Sequence, residues 1–260
     1  MRELAEGAYF LLCLTLGRLL RSTRYSQARS VDEDGERQVR KRRLFHAPLL
    51  IWMGGALVRV LDAGVRILPQ REWEERERHL YRRLRGTPIR IERGGTLVLP
   101  RLAGTTLAAL LEDPALDESG RRRAIELASV ALSAFHRLGF THGDATAENA
   151  LIDLETGAGN WFDFETMHDP NRSLAWRRAD DVRALLATCL IRTDPGKRAA
   201  TLQCILDAYA DDTITPLLAA SFATVWRRPL TFHLAQAGLS FECFREIARL
   251  LRRRRDAVSS

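Results

Sequence analysis

Apolar residues at helical spacing run through most of the second half of the chain. In "RRRAIELASVALSAFHRL", residues 121–138, they define a long amphipathic helix, closed by Gly139. Further helices are predicted at about 176–192, 197–210, 216–227 and 240–254. Before residue 100 the pattern is mixed. Residues 1–22 read as helix. Residues 24–43 are two polar arms about Asp34-Gly35, which predicts a β-hairpin. Trp73, Leu80, Tyr81 and Leu84 recur at helical spacing in residues 71–85, with Gly86 placed to end that helix. "PIRIERGGTLVLPRLAG" reads as two short strands joined at Gly94-Gly95. "ALID" and "NWFDFE", separated by Glu155-Thr156-Gly157, read as a second small hairpin. The fold class expected is therefore α+β, with a strand-containing part over 1–100 and a helical part over 101–260.

Two apolar runs lie within the first part, 8–16 and 47–58. Arg18 and Arg59 cut them well below the ~20 residues that span a bilayer. The preferred reading is that both are core helices; the alternative is that they lie on a membrane with arginines reaching the headgroups. Glu3 and Glu6 do not suit a signal-peptide start. The four cysteines form no C-x-x-C pair and have no histidine at metal-ligand spacing, so reduced core thiols and a cytoplasmic protein are expected.

Composition narrows the partners. A chain of 260 residues, 46% hydrophobic and 28% charged, has the makings of a folded core. Its net charge of +7 favours acidic partners such as nucleotides, phosphorylated sugars or an anionic membrane surface. No nucleic-acid-binding motif accompanies that charge, so no specific nucleic acid is expected. The basic residues are nearly all arginine: Lys41 and Lys197 are the two lysines.

The chemistry concentrates in "THGDATAENALID", residues 141–153, and in "WFDFE" just after it. Asp144, Asn149 and Asp163 offer two carboxylates and an amide, hard oxygen donors of the kind Mg²⁺ takes. A carboxylate left off the metal can orient a hydroxyl and accept its proton. Glu148 and Asp153 read as solvated or capping groups.

"HGDATAEN" followed by "WFDFE" resembles the catalytic loop (142–149) and metal motif (163–165) of the protein-kinase-like superfamily. The H-G-D and D-F-E variants are closest to the branch of lipopolysaccharide-core kinases, Bud32/RIO-like kinases and aminoglycoside and choline kinases. "FHRLGF" and "RRADDVRALL" resemble the helix before the loop and the helix whose aspartate anchors it. The resemblance is strong over 130–190 and weaker over 71–112.

The resemblance implies a bilobal fold with a reduced N-lobe and a helical C-lobe, using ATP and Mg²⁺ to phosphorylate a hydroxyl. Asp144 would be the catalytic aspartate. Asn149 and Asp163 would hold Mg²⁺, with Glu165 as a further ligand. His142 would prop the loop, and Asp181, or its neighbour Asp180, would hold its backbone. The family's strand lysine falls to Lys41, since Lys197 lies beyond the motifs. Its helix partner would be Glu77, or Glu74. Leu99 and Arg101 would lie near the adenine through backbone groups. The acceptor implied is a lipopolysaccharide-core sugar, a glycolipid or another small molecule, with the enzyme cytoplasmic and peripheral at the inner face of the membrane. Serine/threonine protein-kinase activity and a non-catalytic pseudokinase are the alternatives. The chain departs from the family in having no G-x-G-x-x-G loop and no A-P-E after the short 163–181 segment.

Overall fold

The computed structural model describes residues 26–33, 36–45, 47–60, 64–222 and 240–258. The helix expected over 1–22, the apolar run 8–16 and the Asp34-Gly35 turn lie outside these residues. The chain is a mixed α+β protein with small antiparallel sheets.

β1 (Ser26–Glu33) and β2 (Glu36–Arg43) form the expected antiparallel ribbon, with Ala28 opposite Lys41. β4 (Arg90–Glu92) and β5 (Thr96–Pro100) form the hairpin at Gly94-Gly95, and the four strands assemble in the order β1-β2-β5-β4. Lys41 sits opposite Leu97, and Val39 opposite Leu99. Strand alternation sends these residues to the inner face and Arg40 and Arg42 to the outer one. The inner face meets α2 (Gln70–Arg85), whose buried residues Trp73, Glu77, Leu80 and Tyr81 form one stripe. Gly86, in the left-handed conformation, caps this helix by donating its N–H to the Arg82 carbonyl.

The run 47–58 falls in α1 (Ala47–Val60). Ala47 is buried, but Leu49 and Trp52 stand out in solvent. A hydrophobicity profile does not say which side chains of an apolar helix face solvent. β3 (Val65–Ile67) then pairs with β9 (Thr166–His168), a link between the two parts that the sequence pattern did not indicate.

The second part is built around α4 (Glu118–Arg137). Asp117 caps it, its side chain accepting from the Gly120 N–H. A three-stranded sheet of β6 (Thr105–Thr106), β7 (Ala150–Asp153) and β8 (Ala158–Trp161) lies beside it. α3 (Leu107–Glu112) precedes it. α5 (Leu174–Leu190), α6 (Arg198–Tyr209), α7 (Thr215–Ser221) and α8 (Phe241–Val258) complete the packing. From Ala179 to Leu190 every residue of α5 is buried. One hydrophobic cluster runs from Leu68 and Trp73 through Phe135 and Phe164 to Leu251, so both parts share a core.

Candidate active site

The loop 142–149 has no regular structure before a short 3-10 turn at its end, and it is held in place from outside itself. Asp181, buried on α5, accepts from the backbone N–H of His142 at 2.6 Å and of Gly143 at 2.8 Å. His136 of α4 bonds the same carboxylate at 2.9 Å and meets the Tyr209 hydroxyl through its other nitrogen. Burial works to raise the Asp181 pKa; the imidazoles of His168 and His136 outweigh it and hold the carboxyl down at about 2. Its neighbour Asp180 serves a different pair, Arg183 at 2.5 Å and His168 at 3.2 Å. Of the two aspartates, Asp181 is the one on the loop backbone.

Inside the loop the sequence order fixes the contacts. His142 is fully buried and uses both ring nitrogens: Nε2 meets the Phe162 carbonyl at 2.9 Å, and Nδ1 accepts from the Asp144 N–H at 3.3 Å. That pattern needs the neutral imidazole, and burial lowers its pKa to about 4. Gly143 has φ +86°, and an added Cβ would stand 3.1 Å from the Met167 backbone. Only glycine lets β9 pass this close. A 3-10 turn at Ala147–Asn149 follows, pinned by the Ala147 N–H on the Thr188 hydroxyl. Asn149 spends its amide hydrogens on Asp144, at the carbonyl (2.9 Å) and at Oδ2 (3.0 Å). Its Oδ1, the atom a metal would take, is left out of both bonds.

Lys41 crosses from the sheet to this centre. Its ammonium lies 2.5 Å from Asp163, 2.6 Å from Glu165 and 3.6 Å from Glu77. The Trp73 ring lies beside it, centroid 5.1 Å away. Glu77 Oε1 also accepts from the Trp73 indole N–H and the Phe164 backbone N–H, both at 3.2 Å. Burial alone would lower the lysine pKa; the charges of Asp163, Glu165 and Glu77 overcome it and raise it above the ordinary value. Burial raises Glu77, with Lys41 opposing, and raises Glu165, with Asp163 adding to the effect. With all three carboxylates ionised, the cluster carries a net charge of −2.

Asp163 has φ +66°, a left-handed conformation uncommon for any residue with a side chain and best tolerated by Asp and Asn. The kink lies between β8 and β9, where the Phe162 N–H still bonds the Asn149 carbonyl at 3.1 Å. It separates Phe164, which is buried against Phe135 and His142, from the Asp163 carboxylate, which keeps about a third of its side chain exposed.

The residues singled out from the sequence thus fall into groups. His142, Asp144, Asn149 and Asp181 are joined by direct bonds, and so are Lys41, Glu77, Asp163 and Glu165. Glu165 is turned onto Lys41 and is almost fully buried. Glu74 bonds Gln70 instead, so Glu77 is the glutamate at the lysine. Leu99 is buried on the inner face of the sheet; Arg101 is exposed, with its N–H already given to the Arg37 carbonyl. Asp153 caps the β7–β8 turn, as expected. Glu148 is not simply solvated: it pairs with Arg192 at 2.9 Å.

Arg76 was not read from the sequence. It spans from α2 to the Thr141 carbonyl at 2.7 Å and the His142 carbonyl at 3.3 Å, and burial lowers its pKa to about 10. Its signal was faint, one arginine among many on a charge-rich helix. Among the described residues, no group of three or more His, Cys, Asp or Glu is arranged to hold a metal. Asp163 and Asn149 each carry an oxygen donor of the kind Mg²⁺ takes when it keeps most of its waters or binds phosphate oxygens. No protein-family model matches the chain, and no curated protein matches it.

Proposed function

We propose that the chain is a phosphotransferase with a bilobal kinase-like fold, moving the γ-phosphoryl group of ATP to a hydroxyl with Mg²⁺. The observation that carries this reading is the convergence of Lys41, Glu77 and Asp163, from three separate segments, next to the Asp144–Asn149 pair. An ion-pair network alone needs no kinked aspartate, no buried histidine accepting a backbone hydrogen bond and no amide tied to a second carboxylate. Together these fit the division of labour in phosphoryl transfer, where positioning and charge neutralisation do most of the work.

Asp163 and the Asn149 Oδ1 would hold Mg²⁺, and Lys41 would meet phosphate oxygens while Glu77 steadies it. Bound Mg-ATP supplies the transferable phosphoryl group and the cation that offsets its charge. Asp144 accepts the proton of the acceptor hydroxyl at its carboxylate. Asn149 holds that carboxylate by Oδ2, and the Asp144 N–H bonded to His142 fixes its backbone. The acceptor proposed is a lipopolysaccharide-core sugar or another small molecule. The chain from Asp163 to α5 offers little platform for a peptide: it is β9, a short turn and the Ser173 cap.

A non-catalytic binding module is the second reading. It is favoured by Lys41 bonding Asp163 and Glu165, which occupies the lysine and the metal carboxylate together. Transfer of labelled γ-phosphate from ATP to cell-envelope extracts separates the two. The expected result is transfer by the wild type and a loss of about 10²–10⁴-fold in Asp144→Asn, the span a positioned general base supplies, with nucleotide binding retained. Absence of transfer by the wild type, or an unimpaired Asp144→Asn, would sink the phosphotransferase reading.

A further inference from the structure

The region from the end of β2 into α1 carries apolar and cationic side chains in a pattern the site does not use. Phe45 is 95% exposed, Trp52 72% and Leu49 60%. Residues 49, 52 and 56 of α1 are spaced by three and four, so they make one stripe, and Ala56 is exposed as well; Phe45 stands in the turn before the helix. Ala47, which is buried, lies off this stripe. Two large apolar side chains exposed on one helix face, with a third in the turn before it, mark a contact surface more than a scatter of single exposures does.

Arginines stand next to it. Arg29 faces Arg40 across the β1–β2 ribbon, and Arg42 follows on the same outer face of the sheet. The three line an open groove of about 320 Å³ in which Glu92 is the one carboxylate. Arg40 and Arg90 both reach Glu92, at 3.2 and 3.5 Å. Arg42 precedes Phe45 by three residues, which limits their backbone separation to about 11 Å.

We propose that this stripe and this groove form one docking site for an anionic lipid surface. Leu49, Trp52 and Phe45 enter the headgroup–acyl boundary, where indole and phenyl rings are favoured, and Arg29, Arg40 and Arg42 take the anionic headgroups. Charge selects the occupant. A second copy docked on the same face about a two-fold axis would bring two arginine rims together, and a neutral apolar partner would offer their charge no counterpart. No described helix is long and apolar enough to cross a membrane, so the contact is at the surface.

The site is separate from the phosphotransferase reading and is tested without turnover. The full chain is co-sedimented with phosphatidylcholine vesicles, with and without phosphatidylglycerol. Binding to the anionic vesicles is expected, weakening with salt. Leu49→Ser/Trp52→Ser is expected to lose at least tenfold in affinity. Arg29→Gln/Arg42→Gln is expected to lose more than tenfold on anionic vesicles, at about fivefold for each arginine, with an unchanged melting temperature for both variants. A second measurement needs no destabilising change: brominated lipid should quench wild-type fluorescence more than that of Trp52→Phe. The proposal is overturned if the wild type ignores anionic vesicles or if Leu49→Ser/Trp52→Ser binds them undiminished. It is equally overturned if that variant only turns a dimer into a monomer.

Discussion

At Lys41 one ammonium answers three carboxylates, and removing it leaves buried like charges unopposed. Lys41→Met is expected to cost about 3–5 kcal/mol at neutral pH, the range for breaking a buried ion pair from one side. The defect should depend on pH with a definite sign. Glu77 and Glu165 have raised pKa values, so above the ordinary carboxylate range the folded state holds their protons longer than the unfolded chain does. Stability from such groups falls as pH rises. Without Lys41 they rise further, so urea melts should show a smaller defect at pH 5 than at pH 8; an equal defect at both would count against the cluster. His142 has the opposite sense. Its pKa falls to about 4 in the fold, so the unfolded chain binds a proton first as pH drops below about 6.5, and stability is lost from there down to about 4. The loss is on the order of 3 kcal/mol over that window. His142→Gln should flatten this part of the stability–pH curve relative to wild type. A protonated ring would also present a donor to the Asp144 N–H, so Asp144 should be displaced only near and below pH 4, where the folded imidazole takes its proton.

The elements divide by how local their causes are. α2, α4 and the β1–β2, β4–β5 and β7–β8 hairpins were legible because period, cap and turn lie within each segment. β3 and β9 were not: each has three residues, and each exists only because the other stands about a hundred positions away. Which side chains of α1 face solvent is likewise not in the profile, and Arg192 reaching Glu148 is a contact no local pattern encodes. In the site, Asp144, Asn149 and Asp163 stood out by residue type and spacing and Asp181 by the resemblance, while Trp73 and Arg76 needed the packing of α2. The loop itself supplies the element-scale test. Gly143→Ala imposes a left-handed backbone on a residue with a Cβ, about 1–2 kcal/mol, and presses that atom toward the Met167 backbone at 3.1 Å. Chemical denaturation should show at least that loss. Turnover at a temperature where the variant is fully folded should fall as well, because Asp144 follows directly; full activity would show the loop backbone to be less constrained than its bonds imply.

Across the whole molecule two charge patterns oppose each other. The chain carries +7 and draws anions toward itself, yet its centre gathers three carboxylates around one lysine. A nucleotide's phosphates meet that negative centre poorly without a cation. A cation meets an Asp163 already bonded to Lys41. On the phosphotransferase reading each ligand would relieve what hinders the other: Asp163 would leave the lysine for the metal, and phosphate oxygens would give the lysine a new partner. Binding should be cooperative, and linkage makes the coupling reciprocal. The expected thermal melt has a small shift with Mg²⁺ alone, a small shift with ATP alone, and a shift with both that exceeds their sum. At a hundredfold excess over the dissociation constant the joint stabilisation is about 2.7 kcal/mol, or roughly 5–10 °C for a chain of this size. Asp163→Asn should remove the excess while leaving the ATP-only shift. Strictly additive shifts would mean that Lys41 and Asp163 do not gate one another, and the central ion pair would then be a structural lock instead of a binding site at rest.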